Sequence, residues 1–185
     1  EQDESNNIFL IQEVNETVTI IIQLQKNWNL FSLPINVSNT TIKNIFQGKN
    51  ISQIYTYNAS IQDWELYTNE TSNNFTNLKQ ERAYWINANE NINLTVSGLN
   101  YSSLQYPIYN GWNLISFPSL ATININTAVD PINTTFSKIL SFQNQWLSYN
   151  NKRANLNTLT NLSASKGYWI KANQNTTWTF NGTFS

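Results

Sequence analysis

Trp28-Asn29-Leu30-Phe31-Ser32-Leu33-Pro34 returns as Trp112-Asn113-Leu114-Ile115-Ser116-Phe117-Pro118, and the separation is 112 − 28 = 84 residues. A second motif keeps the same spacing: Tyr84-Trp85-Ile86-Asn87-Ala88-Asn89 matches Tyr168-Trp169-Ile170-Lys171-Ala172-Asn173, and 168 − 84 = 84. Leu94-Thr95-Val96-Ser97-Gly98 against Trp178-Thr179-Phe180-Asn181-Gly182 holds that offset, whereas Trp64 and Trp146 stand 82 apart, a slip of two residues through a loop deletion. Two motifs at one offset define an internal repeat. The chain of 185 residues therefore divides into an N-terminal extension, 1–14, a first copy, 15–98, and a second copy, 99–185.

Within each copy the apolar period is two. Val18, Ile20, Ile22 and Leu24 alternate with polar or outward positions, as do Leu104, Tyr106 and Ile108, the pattern of half-buried strands. Further strands are expected at Asn29 to Leu33, Gln53 to Tyr57, Trp64 to Tyr67, Ala83 to Ala88 and Ile92 to Val96, bounded by Asn, Ser, Gly or Pro clusters. One short helix is expected from Thr40 or Thr41 to Gln47, with Ile42, Ile45 and Phe46 on one face and Gly48 as its stop. The fold class is all-β: two tandem β-sandwich-like domains, each with at most one short helix. Trp28, Leu30, Trp85 and their counterparts are spaced as inward-facing strand residues, so core packing is the expectation for these tryptophans.

The motifs Trp-Asn-Leu-x-Ser-x-Pro and, about fifty residues on, Tyr-Trp-Ile resemble a repeat domain of secreted and cell-surface proteins of archaea and bacteria, over residues 28–96 and 112–180. The resemblance implies an extracellular β module and carries no catalytic residues. An acidic tip precedes Ile8-Phe9-Leu10-Ile11, which falls at the repeat offset on Ile92-Asn93-Leu94-Thr95, the last strand of the first copy. The chain thus has one surplus strand, and an unpartnered strand must be paired or covered. Donation of Ile8 to Ile11 into an adjacent subunit is similar to the architecture of archaeal thread-like donor-strand filaments.

Charged residues make up only 11% of the chain, against about a quarter in an ordinary domain. Thirteen Asn-x-Ser/Thr sequons occur where composition alone would place roughly six. They begin at Asn15, Asn36, Asn39, Asn50, Asn58, Asn69, Asn74, Asn93, Asn100, Asn133, Asn161, Asn175 and Asn181. Covalent N-linked glycans would supply the solubility that charge does not. Secretion after removal of a signal peptide, to the cell surface, is the matching expectation.

The chain has no His and no Cys, which removes Ser-His-Asp and Cys-His catalysis and the usual zinc ligand sets. Asp63 and Glu65, at i and i+2 of one strand, are the best carboxylate pair for a glycosidase, yet the second copy has Gln145 and Leu147 there. No catalytic residue, cofactor or metal is expected. The net charge of −1, with no basic run, disfavours nucleic acid, and no apolar stretch is long enough to span a membrane as a helix. Residues 1–96 carry ten acids and five bases, whereas 97–185 carry one acid and five bases. That polarity suits head-to-tail self-association. The leading expectation is a structural subunit of a glycosylated extracellular filament or surface layer. The rival is a carbohydrate-binding adhesion module, favoured if three or more aromatic rings line one exposed face.

Overall fold

The structure is a computed structural model that describes residues 17–68, 73–100 and 103–181. The first copy contains β1 (Thr17–Leu24), β2 (Asn27–Ser32), α1 (Ile42–Ile45), β3 (Ile51–Asn58), β4 (Asp63–Thr68), β5 (Ala83–Ala88) and β6 (Ile92–Leu99). The second contains β7 (Ser103–Ile108), β8 (Gly111–Ile115), β9 (Ile123–Asn124), α2 (Ile125–Val129), β10 (Phe136–Phe142), β11 (Trp146–Tyr149), β12 (Asn161–Leu162), β13 (Tyr168–Ala172) and β14 (Thr176–Asn181). The chain is all-β, and the two α-helices among the described residues are one turn or little more. α1 is shorter than the sequence suggests, although Ile42, Ile45 and Phe46 are buried and Gly48 takes φ +68° where the helix stops.

Both copies use one topology. A four-stranded antiparallel sheet has the order β2-β5-β3-β4 in the first and β8-β13-β10-β11 in the second, and a two-stranded ribbon, β1-β6 or β7-β14, accompanies each. The ribbon closes over one face of its sheet, and the residues between them form a separate core in each copy. Ile22, Leu24, Phe31, Tyr84 and Ile86 belong to the first core; Tyr106, Ile108, Ile115, Tyr168 and Ile170, their repeat equivalents, belong to the second. Trp178 replaces Leu94 in the second core, where its indole N–H is buried without a hydrogen-bond partner.

The motif residues divide their labour along β2 and β8. The Asn29 side chain accepts from the Gln25 N–H (2.9 Å) and donates to the carbonyls of Gln25 (2.7 Å) and Asn27 (2.9 Å), stapling the turn into β2. Asn113 repeats this with Tyr109 (2.8 and 2.7 Å) and Gly111 (3.2 Å). That turn needs a left-handed residue, and Asn27 (φ 78°) and Gly111 (φ 99°) supply it at equivalent positions. Phe31 and Leu33, like Ile115 and Phe117, enter their own core. Leu30 and Leu114 point the other way and meet each other's copy.

That meeting is a third apolar cluster, formed by Leu30, Ala83 and Leu114 with Tyr57, Trp85, Phe142 and Trp169 packed against it. It joins the outer faces of the two four-stranded sheets. Its contacts are reciprocal. Phe31 bridges Lys166, and the equivalent Ile115 bridges Arg82. Ser32 N–H donates to the Ser165 carbonyl at 3.1 Å, and Ser116 N–H donates to the Glu81 carbonyl at 3.2 Å. Each contact of i with j′ returns as j with i′, the signature of a twofold interface, here between two halves of one chain. Gly167 is the equivalent of Ala83, and a Cβ on it would stand 2.7 Å from the Ala83 Cβ. The sheets therefore approach closely at the pseudo-axis.

Candidate aromatic binding cleft

Because side chains alternate along a strand, the face that carries Leu30 also carries Trp28, and the face that carries Ala83 also carries Trp85. Cross-strand pairing sets Tyr55 opposite Trp85, Tyr57 opposite Trp64, Trp28 opposite Asn87, and Phe142 opposite Trp146. Beyond the tightly packed seam, the rings on these outer faces converge. Tyr57 lies 5.3 Å from Trp169, centroid to centroid, and its equivalent Phe142 lies 5.3 Å from Trp85. Trp64 lies 5.5 Å from Trp169, and Trp146 lies 5.8 Å from Trp85. Trp28 and Trp112 flank Trp85 and Trp169 edge-on, at 6.4 and 6.0 Å. The pseudo-twofold thus organises six of the chain's seven tryptophans.

The expectation of core tryptophans is corrected here. Trp28 is 39%, Trp64 46% and Trp146 53% exposed, while Trp85, Trp112 and Trp169 are half-buried. Alternation identifies which residues share a face but not which face is the core, and in these sheets both faces are apolar because one is covered by the ribbon and the other by the second copy.

The rings line two neighbouring cavities. One, of about 620 Å³, is bounded by Trp28, Tyr55, Trp64, Trp85 and Phe142. The equivalents of those five residues are Trp112, Leu140, Trp146, Trp169 and Tyr57, and all of them line the other cavity, of about 410 Å³. Trp64 and Trp85 border both, so the two are compartments of one open cleft. At its edge in the first copy, Gln53 pairs with Asn87, and the Tyr55 hydroxyl donates to the Gln53 Oε1 at 3.3 Å. In the second copy the corresponding pair is Lys138 and Lys171, and the Lys171 Nζ sits 5.7 Å from the Trp112 ring centroid.

The sequence-selected carboxylates lie elsewhere. Glu65 is ion-paired with Arg82 and accepts from the Asn58 Nδ2 at 2.9 Å, and Asp63 accepts from the backbone N–H of Trp64 at 2.8 Å. Asp130 accepts from the Asn133 Nδ2 at 3.3 Å. No cluster of metal-ligating side chains occurs among the described residues. No described helix is long and apolar enough to cross a membrane.

Among the sequon asparagines, Asn36, Asn39, Asn50, Asn74, Asn93, Asn100, Asn133, Asn161 and Asn175 are exposed, and Asn58 is half-buried. Asn175 accepts from the Asn110 N–H through Oδ1 at 2.8 Å, an arrangement that leaves the amide nitrogen for a sugar. Asn58 instead commits its nitrogen to Glu65. Asn15, Asn69 and the side chain of Asn181 lie outside the described residues, as do Ile8, Phe9, Leu10 and Ile11.

The sequence reading held an exposed aromatic face only as the rival expectation and did not foresee a cleft shared between the two copies. Its signal was present in Trp28 and Leu30 on one face of β2 with Phe31 on the other, followed just past the strand by the buried Leu33, which requires a covering layer on each side. Comparison with protein-family models, with curated proteins and with solved structures gives no match, so the chemistry of the cleft itself carries the functional reading.

Proposed function

We propose that the protein is an extracellular, non-catalytic adhesion module that binds polysaccharide in the aromatic cleft across its pseudo-twofold seam. The observation that carries this is the run of nine aromatic residues on one open cleft, bordered by the side-chain amides of Gln53 and Asn87. Sugar rings present apolar C–H faces that stack on indoles, while their hydroxyls need the neutral donors and acceptors that amides provide. An apolar surface of this extent left open on a folded chain marks a contact site. The exposed sequons fit a glycosylated surface protein.

Affinity electrophoresis in gels containing plant and microbial polysaccharides tests the reading. The chain is expected to be retarded by at least one of them, and Trp64→Ala and Trp146→Ala each weaken retardation by about tenfold, the value of one lost ring stack. Equal mobility of both variants and the parent in every polysaccharide overturns the reading.

A filament subunit remains a second reading because, among the described residues, β1 pairs with β6 alone and presents Ile21 at 63% exposure. A free apolar edge accepts a further strand. Deleting residues 1–12 is then expected to leave folded monomers that do not polymerise, and fibres formed by that variant would contradict it.

A further inference from the structure

The two halves of the cleft differ in charge at one place. Equivalent positions carry Gln53 and Asn87 in the first copy and Lys138 and Lys171 in the second, each pair directly opposite across neighbouring strands. Both lysines are exposed and lie on the face that carries Leu140, Trp169 and Trp112. Like charges directly opposite on a sheet repel, and among the described residues the ion pair present is Arg82 with Glu65, so neither ammonium has a carboxylate partner. Lys171 instead leans on the Trp112 ring. Both ammonium groups are exposed and carry no carboxylate partner among the described residues, which leaves them open to a bound anion.

We infer that the second-copy compartment of the cleft, lined by Trp112, Leu140, Trp146 and Trp169 and edged by Lys138 and Lys171 on the Trp112 and Trp169 side, selects acidic polysaccharide, a chain of uronic acid residues whose carboxylates meet the two ammonium groups while its sugar rings stack on the indoles. The first-copy compartment, with Gln53 and Asn87, takes the neighbouring sugar units through their hydroxyls. The carboxylate is the feature that a lysine pair recognises and an amide pair does not. Six acidic side chains with five bases in the first copy, against one acid and five bases in the second, place the cationic character of the chain on the same side. This inference rests on the polysaccharide reading and names the ligand class within it.

The experiment compares polygalacturonate fragments with the same fragments after carboxyl reduction, titrated into the full chain in low salt and followed by tryptophan fluorescence. The acidic form is expected to bind about tenfold or more tightly, and the margin should shrink as salt screens the lysines. Lys138→Gln with Lys171→Asn installs the residues that the first copy already tolerates, and the acid-to-neutral ratio is expected to fall to near one. Gln53→Lys with Asn87→Lys is expected to raise it. Lys43→Gln with Lys49→Gln removes the same charge from the region around α1, and the preference should persist. Equal binding of both fragments by the parent overturns the charge selection and leaves the polysaccharide reading intact, whereas absence of binding to either, and to every other polysaccharide, overturns both. A preference that survives the Lys138/Lys171 double change also overturns the inference.

Discussion

At the residue scale, Tyr84 and Tyr168 show how one motif position acts twice. The Tyr84 hydroxyl accepts from the Lys79 N–H at 2.5 Å and donates to the Lys79 carbonyl at 3.3 Å, and Tyr168 does the same with Ser163 at 2.7 and 3.4 Å. Each ring fills a core while its hydroxyl fixes the loop five residues upstream, so phenylalanine keeps the packing but orphans two backbone groups. Tyr84→Phe and Tyr168→Phe are each expected to cost about 1–3 kcal/mol in urea unfolding. Burial pushes both phenols well above the ordinary tyrosine value, offset in part by those backbone hydrogen bonds. The folded chain therefore keeps protons that the unfolded chain loses above about pH 10. Stability should be flat with respect to these groups below that pH and fall above it, and the double phenylalanine variant should show a shallower alkaline decline. The Asn of Trp-Asn-Leu was legible as a repeated residue, but its role as a turn staple was not, because three hydrogen bonds to a preceding turn leave no periodic trace. Asn113→Ala, at a buried site, is expected to destabilise by about 1–3 kcal/mol and more than Asn29→Ala, which is half-buried.

At the scale of elements, strand positions were readable because alternation has a period of two, and β5 falls on Ala83–Ala88 as expected. The expected ends of other strands were short: β3 extends over Ile51–Asn58 and β6 over Ile92–Leu99. Terminal strand residues are held by pairing with a neighbour rather than by their own apolarity, which a single segment does not reveal. Orientation was the larger gap. Trp85 and Tyr84 are consecutive, so one must face away from the core, and only the second sheet explains why the outward one is aromatic. The close approach of the sheets rests on Gly167, where a Cβ would fall 2.7 Å from Ala83 and 2.8 Å from the Leu30 Cγ. Gly167→Val is expected to push the sheets apart, lowering stability by about 1–3 kcal/mol and changing the tryptophan fluorescence of the native state. Unchanged stability and an unchanged spectrum would show that the seam is looser than its geometry.

At the scale of the whole molecule, the tandem repeat is an internal dimer, with a separate core in each half and a reciprocal seam between them. Each copy resembles a subunit more than a fragment. Chains cut within 100–102 and expressed together are therefore expected to reassociate into a one-to-one complex, detectable by size-exclusion chromatography with light scattering. The repeat itself was legible from two motifs at one offset. The cleft was not, because it exists only once the halves are docked and its walls come from both. Binding across that seam is the central claim, and the indole N–H signals of ¹⁵N-tryptophan-labelled protein test it most directly, since each tryptophan reports separately. On titration with a bound oligosaccharide, the signals of Trp28, Trp64 and Trp146 should shift, with Trp85, Trp112 and Trp169 responding as their neighbours do, while Trp178, enclosed in the second core, stays in place. A ligand that leaves the cleft signals unmoved, or shifts Trp178 alone, would contradict the account.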